Sequence, residues 1–204
     1  MERKGLLSNH FSNRINLEHV PTKDCLFGVV AMAFNTLAEP SEKLMGVDVQ
    51  TISEKNNIEK GDLETLFDTL NSTTAIKGLT LAYFPKIGDW TREDVFNIYS
   101  EVIDRGGLVF VGVDSTKWYN GVHSGRPHAL LASGYEQVVP KYIGKEKRKL
   151  ILHDPNIEVG LIADFDLLYP MIWPQYSSEF GIVAFFQKGN FPFTGTQPSK
   201  KPEI

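Results

Sequence analysis

The stretch CLFGVVAMAFNTL, residues 25–37, constrains this chain more than any other. Its apolar residues recur on nearly every side of a helix, and it carries no charge. A helix with no polar face has nothing to offer water, so the rest of the chain must enclose it. Glu39-Pro40 closes the run, because the residue before a proline is pushed out of helical geometry. Enclosing such a helix takes a sizeable core. With 204 residues, 42% of them hydrophobic, the chain can supply one. A single domain over residues 1–188 is expected. The tail from Gly189 to Ile204, rich in Pro, Lys, Gly and Thr, is expected to be loose.

The segments around this helix read in order. The lead-in to Pro21 has no clear period, and a polar stretch follows Pro40. Gly61-Asp62 starts a helix with Leu63, Leu66, Phe67 and Leu70 on one face. LTLAYF alternates like a strand. Thr91 and Asp94 make a capping pair for a helix carrying Val95, Ile98, Tyr99 and Val102. Gly106-Gly107 stops it, and LVFVGVD is a buried strand. HALLASGYE and KLILHDPN read as paired strands around a long loop that includes KYIGKEKRK. DFDLLYPMI is a short helical stretch, and GIVAFFQK a final strand. Helices first and strands later is an α+β order. The expected architecture is an N-terminal helical half whose buried helix packs on a C-terminal antiparallel sheet, with strands beginning near Ala129, Leu150 and Ile182.

Composition narrows the partners. A net charge of -4 argues against nucleic acid or an anionic membrane. No apolar run is long enough for a membrane span, and MERKGLLSNHFSN lacks a signal-peptide core. The expected setting is the cytoplasm, or secretion without a cleaved signal peptide. A single cysteine excludes an intramolecular disulfide. No Gly-rich phosphate loop follows a strand, so no nucleotide cofactor is expected. His123, His128, His153 and Asp154 suit a metal by chemistry, but their spacing matches no compact ligand motif, and no metal is expected. The basic run Lys141, Lys145, Lys147, Arg148 and Lys149 reads as a solvated loop. Trp118-Tyr119 is a candidate cleft lining.

Three residues remain that together make a chemistry. Cys25 opens the buried helix, where unpaired N–H groups and the helix dipole favour a thiolate. His128 opens one strand, and Asp154 closes the next. If those strands pair, the imidazole and the carboxylate meet at one end of a hairpin. One ring nitrogen is then held, and the other is free to face the thiol. His153 precedes Asp154 and should point to the opposite face, which favours His128 as the base. Each residue also has a plainer reading: a small buried hydrophobe, a core histidine, and an Asp-Pro turn.

The order Asp-Cys opening an apolar helix, His opening a strand that ends in Gly-Tyr, and a strand ending in Asp-Pro resembles the papain-like superfamily. Within it, the chain is most similar to the bacteriocin leader-processing peptidases and their stand-alone C39-like relatives, over roughly residues 19 to 188. The resemblance implies a papain-like fold and a thiol hydrolase of amides, acting on a protein or peptide. Cys25 would be its nucleophile, His128 its base and Asp154 the orienting carboxylate. Two positions depart from the family pattern. Leu26 stands where a Gly usually follows the cysteine, and His19 stands where a Gln usually supplies an oxyanion donor. His19, or the nearby amide of Asn16, is the candidate replacement donor. Loss of that Gln also leaves open a catalytically silent binding module of the same fold.

Overall fold

The computed structural model describes residues 2–5, 25–38, 44–59, 62–73, 79–84, 90–121, 127–138, 146–157, 160–172 and 182–187. In chain order the elements are β1 (Glu2–Gly5), α1 (Cys25–Ala38), α2 (Gly46–Lys55), α3 (Leu63–Thr73), β2 (Leu79–Phe84), α4 (Arg92–Asp104) and β3 (Leu108–Asp114). There follow α5 (Ser115–Trp118), β4 (Pro127–Val138), β5 (Lys147–His153), β6 (Leu161–Asp164), α6 (Phe165–Leu168), a 3-10 turn over Tyr169–Met171, and β7 (Ile182–Gln187). Helix and antiparallel sheet are combined, an α+β arrangement.

The strands form one sheet in the order β2-β7-β3-β4-β5-β6, with β1 also paired to β4. Each recorded pairing is antiparallel. The long strand β4 organises the centre. It pairs with β3 from Pro127 to Ala132 and with β1 from Gly134 to Gln137. On its other side it pairs with β5 from Leu131 to Val138.

Both faces of the sheet are buried, which explains why LVFVGVD reads as an unbroken apolar run. Leu108 and Phe110 point to one face, where Phe27, Phe34, Leu66, Phe67 and Leu70 of α1 and α3 pack with Leu131 and Phe185. Val109, Val111 and Val113 point to the other face. There they meet Phe96, Tyr99 and Val102 of α4, Phe165 and Leu168 of α6, and Leu130, Leu150 and Leu152. A bulge between Ala132 and Gly134 resets the alternation, so that Tyr135 joins Leu130 and Ala132 on the α4 side. Its hydroxyl then donates to the Asp104 carboxylate at 2.9 Å.

The helix that begins at Cys25 is buried continuously from Phe27 to Leu37, as its pattern predicts. Thr91 and Asp94 form the reciprocal capping box of α4. Gly106, at φ +79°, ends that helix in the left-handed conformation. The Gly107 N–H then reaches back to the Val102 carbonyl at 2.9 Å.

The partition into a helical half and a strand half needs correcting. The sheet takes β1 and β2 from the first half of the chain, and the helices divide between its two faces. β2 needs a ladder partner and finds it in β7, the last strand, so a mid-chain strand and the last one are joined by register. Four elements are absent from the sequence reading, one of them the single turn α5 after β3. β1 is too short to show a period. α2 lies in the polar stretch and buries only Gly46, Val49 and Ser53. β6 is a partly exposed edge strand. Lys147 to Lys149, read as loop, begin β5. The tail 189–204 lies outside the described residues.

Gly107 is a tight point of this packing. A Cβ there would stand 2.5 Å from the Phe186 ring and 2.9 Å from Val102. Gly107→Ala should destabilise the fold by about 1–3 kcal/mol, because the buried ring has no free space to move into. A urea unfolding curve with an unchanged midpoint would refute this.

Candidate active site

The site is built where three elements end together. Cys25 is the first residue of α1 and is half-buried. β5 stops at His153, opposite Leu131, so its ladder ends short of Ala129 on that side of β4. The Ala129 N–H is therefore not used by β5, and it donates to Cys25 Sγ at 3.3 Å. His128, one residue earlier, is 5% exposed.

The imidazole is anchored on its far side. His128 Nε2 lies 2.9 Å from Asp154 Oδ1 and 3.0 Å from the Tyr119 hydroxyl. With Nε2 engaged, Nδ1 is the nitrogen left for the thiol, whose charge interacts with that of the imidazole. Asp154 follows β5 directly and is 0% exposed. A carboxylate that deep must be fully hydrogen-bonded. Its Oδ1 also accepts from the Asn156 N–H at 2.9 Å, which makes the Asp-Pro turn its own cap. Its Oδ2 accepts from the Trp118 indole N–H and the Tyr119 hydroxyl, both at 2.8 Å.

Trp118 and Tyr119 reach this point because of the turn after β3. Asp114 caps α5 by accepting from the Thr116 N–H at 2.9 Å. The single helical turn closes through Asn120 at φ +52° and Gly121 at φ +84°. Register places Val113 opposite His128 and Asp114 opposite Pro127, so this turn lies beside the imidazole. The Tyr119 and His128 rings are 5.2 Å apart.

The charges follow from these contacts. Burial alone would raise the Cys25 thiol, but the His128 hydrogen bond and charge, with the Ala129 and Leu26 N–H groups, hold it below its ordinary value. Burial alone would lower His128. The Asp154 and Cys25 interactions outweigh that and raise it to about 9. Burial would likewise raise Asp154, and its bonds to His128, Asn156 and Trp118 keep it below the ordinary carboxylate range. Both shifts run in the direction that favours a thiolate beside an imidazolium.

The structure thus brings Cys25, His128 and Asp154 together. His153 is not part of that group. It is 3% exposed, its Nε2 lies 2.8 Å from Ser133 Oγ, and burial pushes its pKa down to about 4. Among the described residues, no cluster of three His, Cys, Asp or Glu side chains is placed to hold a metal. His19, Asn16 and His123 lie outside the described residues. Likewise among the described residues, no helix is long and apolar enough to cross a membrane. Sequence reasoning noticed Trp118 and Tyr119 as cleft lining but not as donors to Asp154. A buried carboxylate demands donors, yet nothing in the sequence says which ones. Comparison with protein-family models and with curated proteins finds no match.

Neutral His153 makes a separate statement about stability. The unfolded chain protonates this residue below about 6.5, the folded chain only below about 4. Stability is therefore full above 6.5 and falls as pH drops from 6.5 towards 4, by up to about 3 kcal/mol. His153→Gln should flatten that part of a pH series of denaturation curves. An unchanged slope would show that His153 is not its source.

Proposed function

We propose that this chain is a papain-like thiol hydrolase of amides, related to the C39-like peptidases its motif order resembles. One observation carries the reading: Cys25, at the head of a helix, bonds the Ala129 N–H next to a His128 imidazole whose Nε2 is tied to a fully buried carboxylate. A satisfied core histidine needs no such thiol. A buried structural cysteine would have its pKa raised, whereas Cys25 is held low.

In the proposed reaction the Cys25 thiolate attacks the carbonyl carbon of a peptide or Gln side-chain amide, and the new C–S bond leaves charge on the carbonyl oxygen. His128 passes its Nδ1 proton to the nitrogen, the C–N bond breaks, and amine or ammonia departs. The neutral Nδ1 then takes a proton from water as the oxygen attacks the thioester. Collapse releases the acid and restores the ion pair. Asp154 keeps its charge throughout and steadies the imidazolium. The helix N-terminus and its N–H groups favour the sulfur anion. His19 or Asn16 is the side-chain donor proposed for the oxyanion.

Iodoacetamide tests the reading directly. It should alkylate Cys25 rapidly at mildly acidic pH, and His128→Ala should slow that reaction by roughly 100-fold. A thiol that reacts only at alkaline pH, with or without His128, would favour the silent binding module instead.

A further inference from the structure

The Tyr119 hydroxyl touches three members of this network at once. It lies 2.8 Å from Asp154 Oδ2, 3.0 Å from His128 Nε2 and 3.0 Å from Asn156 Nδ2. Its hydrogen-bond roles can be assigned by counting protons. An ionised carboxylate only accepts, so the single phenolic proton must go to Asp154. The Asn156 amide N–H donates to the phenol oxygen. Towards His128 the hydroxyl has no proton left to give, so it can only accept, and Nε2 must carry a hydrogen. Asp154 Oδ1 makes the same demand on that nitrogen. The Nε2–H is thus shared between two acceptors, and the lone pair or second proton of the ring stands on Nδ1, the nitrogen left for the thiol.

From this we infer that Tyr119 is a positioning residue, held in turn by Asn156, that fixes the protonation pattern and ring plane of His128 for chemistry at Cys25. The inference rests on the proposed thiol hydrolase. It adds a member from the β3–β4 connection that the three-residue reading lacks. Burial keeps the Tyr119 phenol above its ordinary pKa, and the neighbouring Asp154 carboxylate adds to this, so the hydroxyl does not lose its proton in the working range. The ring closes over the imidazole at a centroid distance of 5.2 Å and a 53° tilt, which restricts rotation about the histidine Cβ–Cγ bond. Trp118 shares the turn but bonds only the carboxylate side of the pair, at Asp154 Oδ2.

Among the described residues, the groups that face His128 are Cys25 from α1, Tyr119 after α5 and Asp154 after β5. The strand partner Val113 on β3 carries no charge. A change at Tyr119 is therefore read through a short list. The phenol oxygen is a direct acceptor for Nε2–H, and its loss removes stabilisation from the imidazolium.

The test is the rate of iodoacetamide alkylation of Cys25 against pH in the parent protein, Tyr119→Phe and Asn156→Ala. The parent should show an acid-range thiolate whose His128-dependent limb lies near 9. Tyr119→Phe keeps the ring and loses the hydroxyl. It should narrow the profile from both sides and lower the acid-range rate by about tenfold, one hydrogen bond's worth. Asn156 is exposed, so its replacement leaves the core alone, and it should shift the profile in the same direction by less. A Tyr119→Phe protein that melts like the parent and has the parent's profile would overturn the inference and leave the proposed function standing. So would a limb moved upward. A parent with no acid-range alkylation removes both.

Discussion

A wholly buried Asp154 carboxylate is the constraint on which the site depends. Charge at that depth is tolerated only when the available lone pairs are met, and four donors meet them: His128, Tyr119, Trp118 and the Asn156 backbone. Each donor comes from a segment with its own reason to be there. His128 is set by the β3–β4 register, Trp118 and Tyr119 by a one-turn helix capped by Asp114, and Asn156 by the turn that Asp154 itself caps. Removing the carboxylate would leave these donors buried without an acceptor. The charge therefore ties two turns and the start of β4 together at one end of the sheet, and the imidazole inherits its orientation from them.

The sulfur is placed by a different feature, unequal strand length. β4 runs for twelve residues, and β5 covers it only as far as Leu131. The uncovered end of β4 supplies both the imidazole and the Ala129 N–H that Cys25 Sγ accepts, and the head of α1 packs against it. Because α1 is buried continuously from Phe27 to Leu37, Cys25 cannot drift from that position without disturbing the core. Rigid burial behind the thiol and partial exposure at it are two consequences of the same helix.

Much of this was legible in the chain. The enclosed helix, the Thr91–Asp94 cap, the glycine stop at 106–107 and the strands of β3, β4 and β7 follow from local pattern, because each is long or carries a specific terminus signal. The meeting of His128 and Asp154 follows from pairing two strands whose ends carry them. What was not legible depends on distant sequence. β1 and β6 are four residues each, too short to show a period, and β1 gains its hydrogen bonds from β4, far along the chain. α2 buries too little to show a face. Tyr119 looks like any aromatic residue near a turn, and only the three-dimensional position of Asp154 gives its hydroxyl a role. The segment that holds His19 and Asn16 lies outside the described residues, so the candidate oxyanion donor rests on sequence alone.

The central claim is that Asp154 holds His128 as an imidazolium beside a Cys25 thiolate. Nitrogen-15 NMR titration of the histidine rings tests it most directly. The account predicts one ring, assigned to His128 by its loss in His128→Ala, that carries protons on both nitrogens at neutral pH and titrates near 9. In Cys25→Ala that ring should titrate at lower pH, because the anion that supports it is gone. A His128 ring that is neutral at neutral pH, and indifferent to the loss of Cys25, would contradict the account.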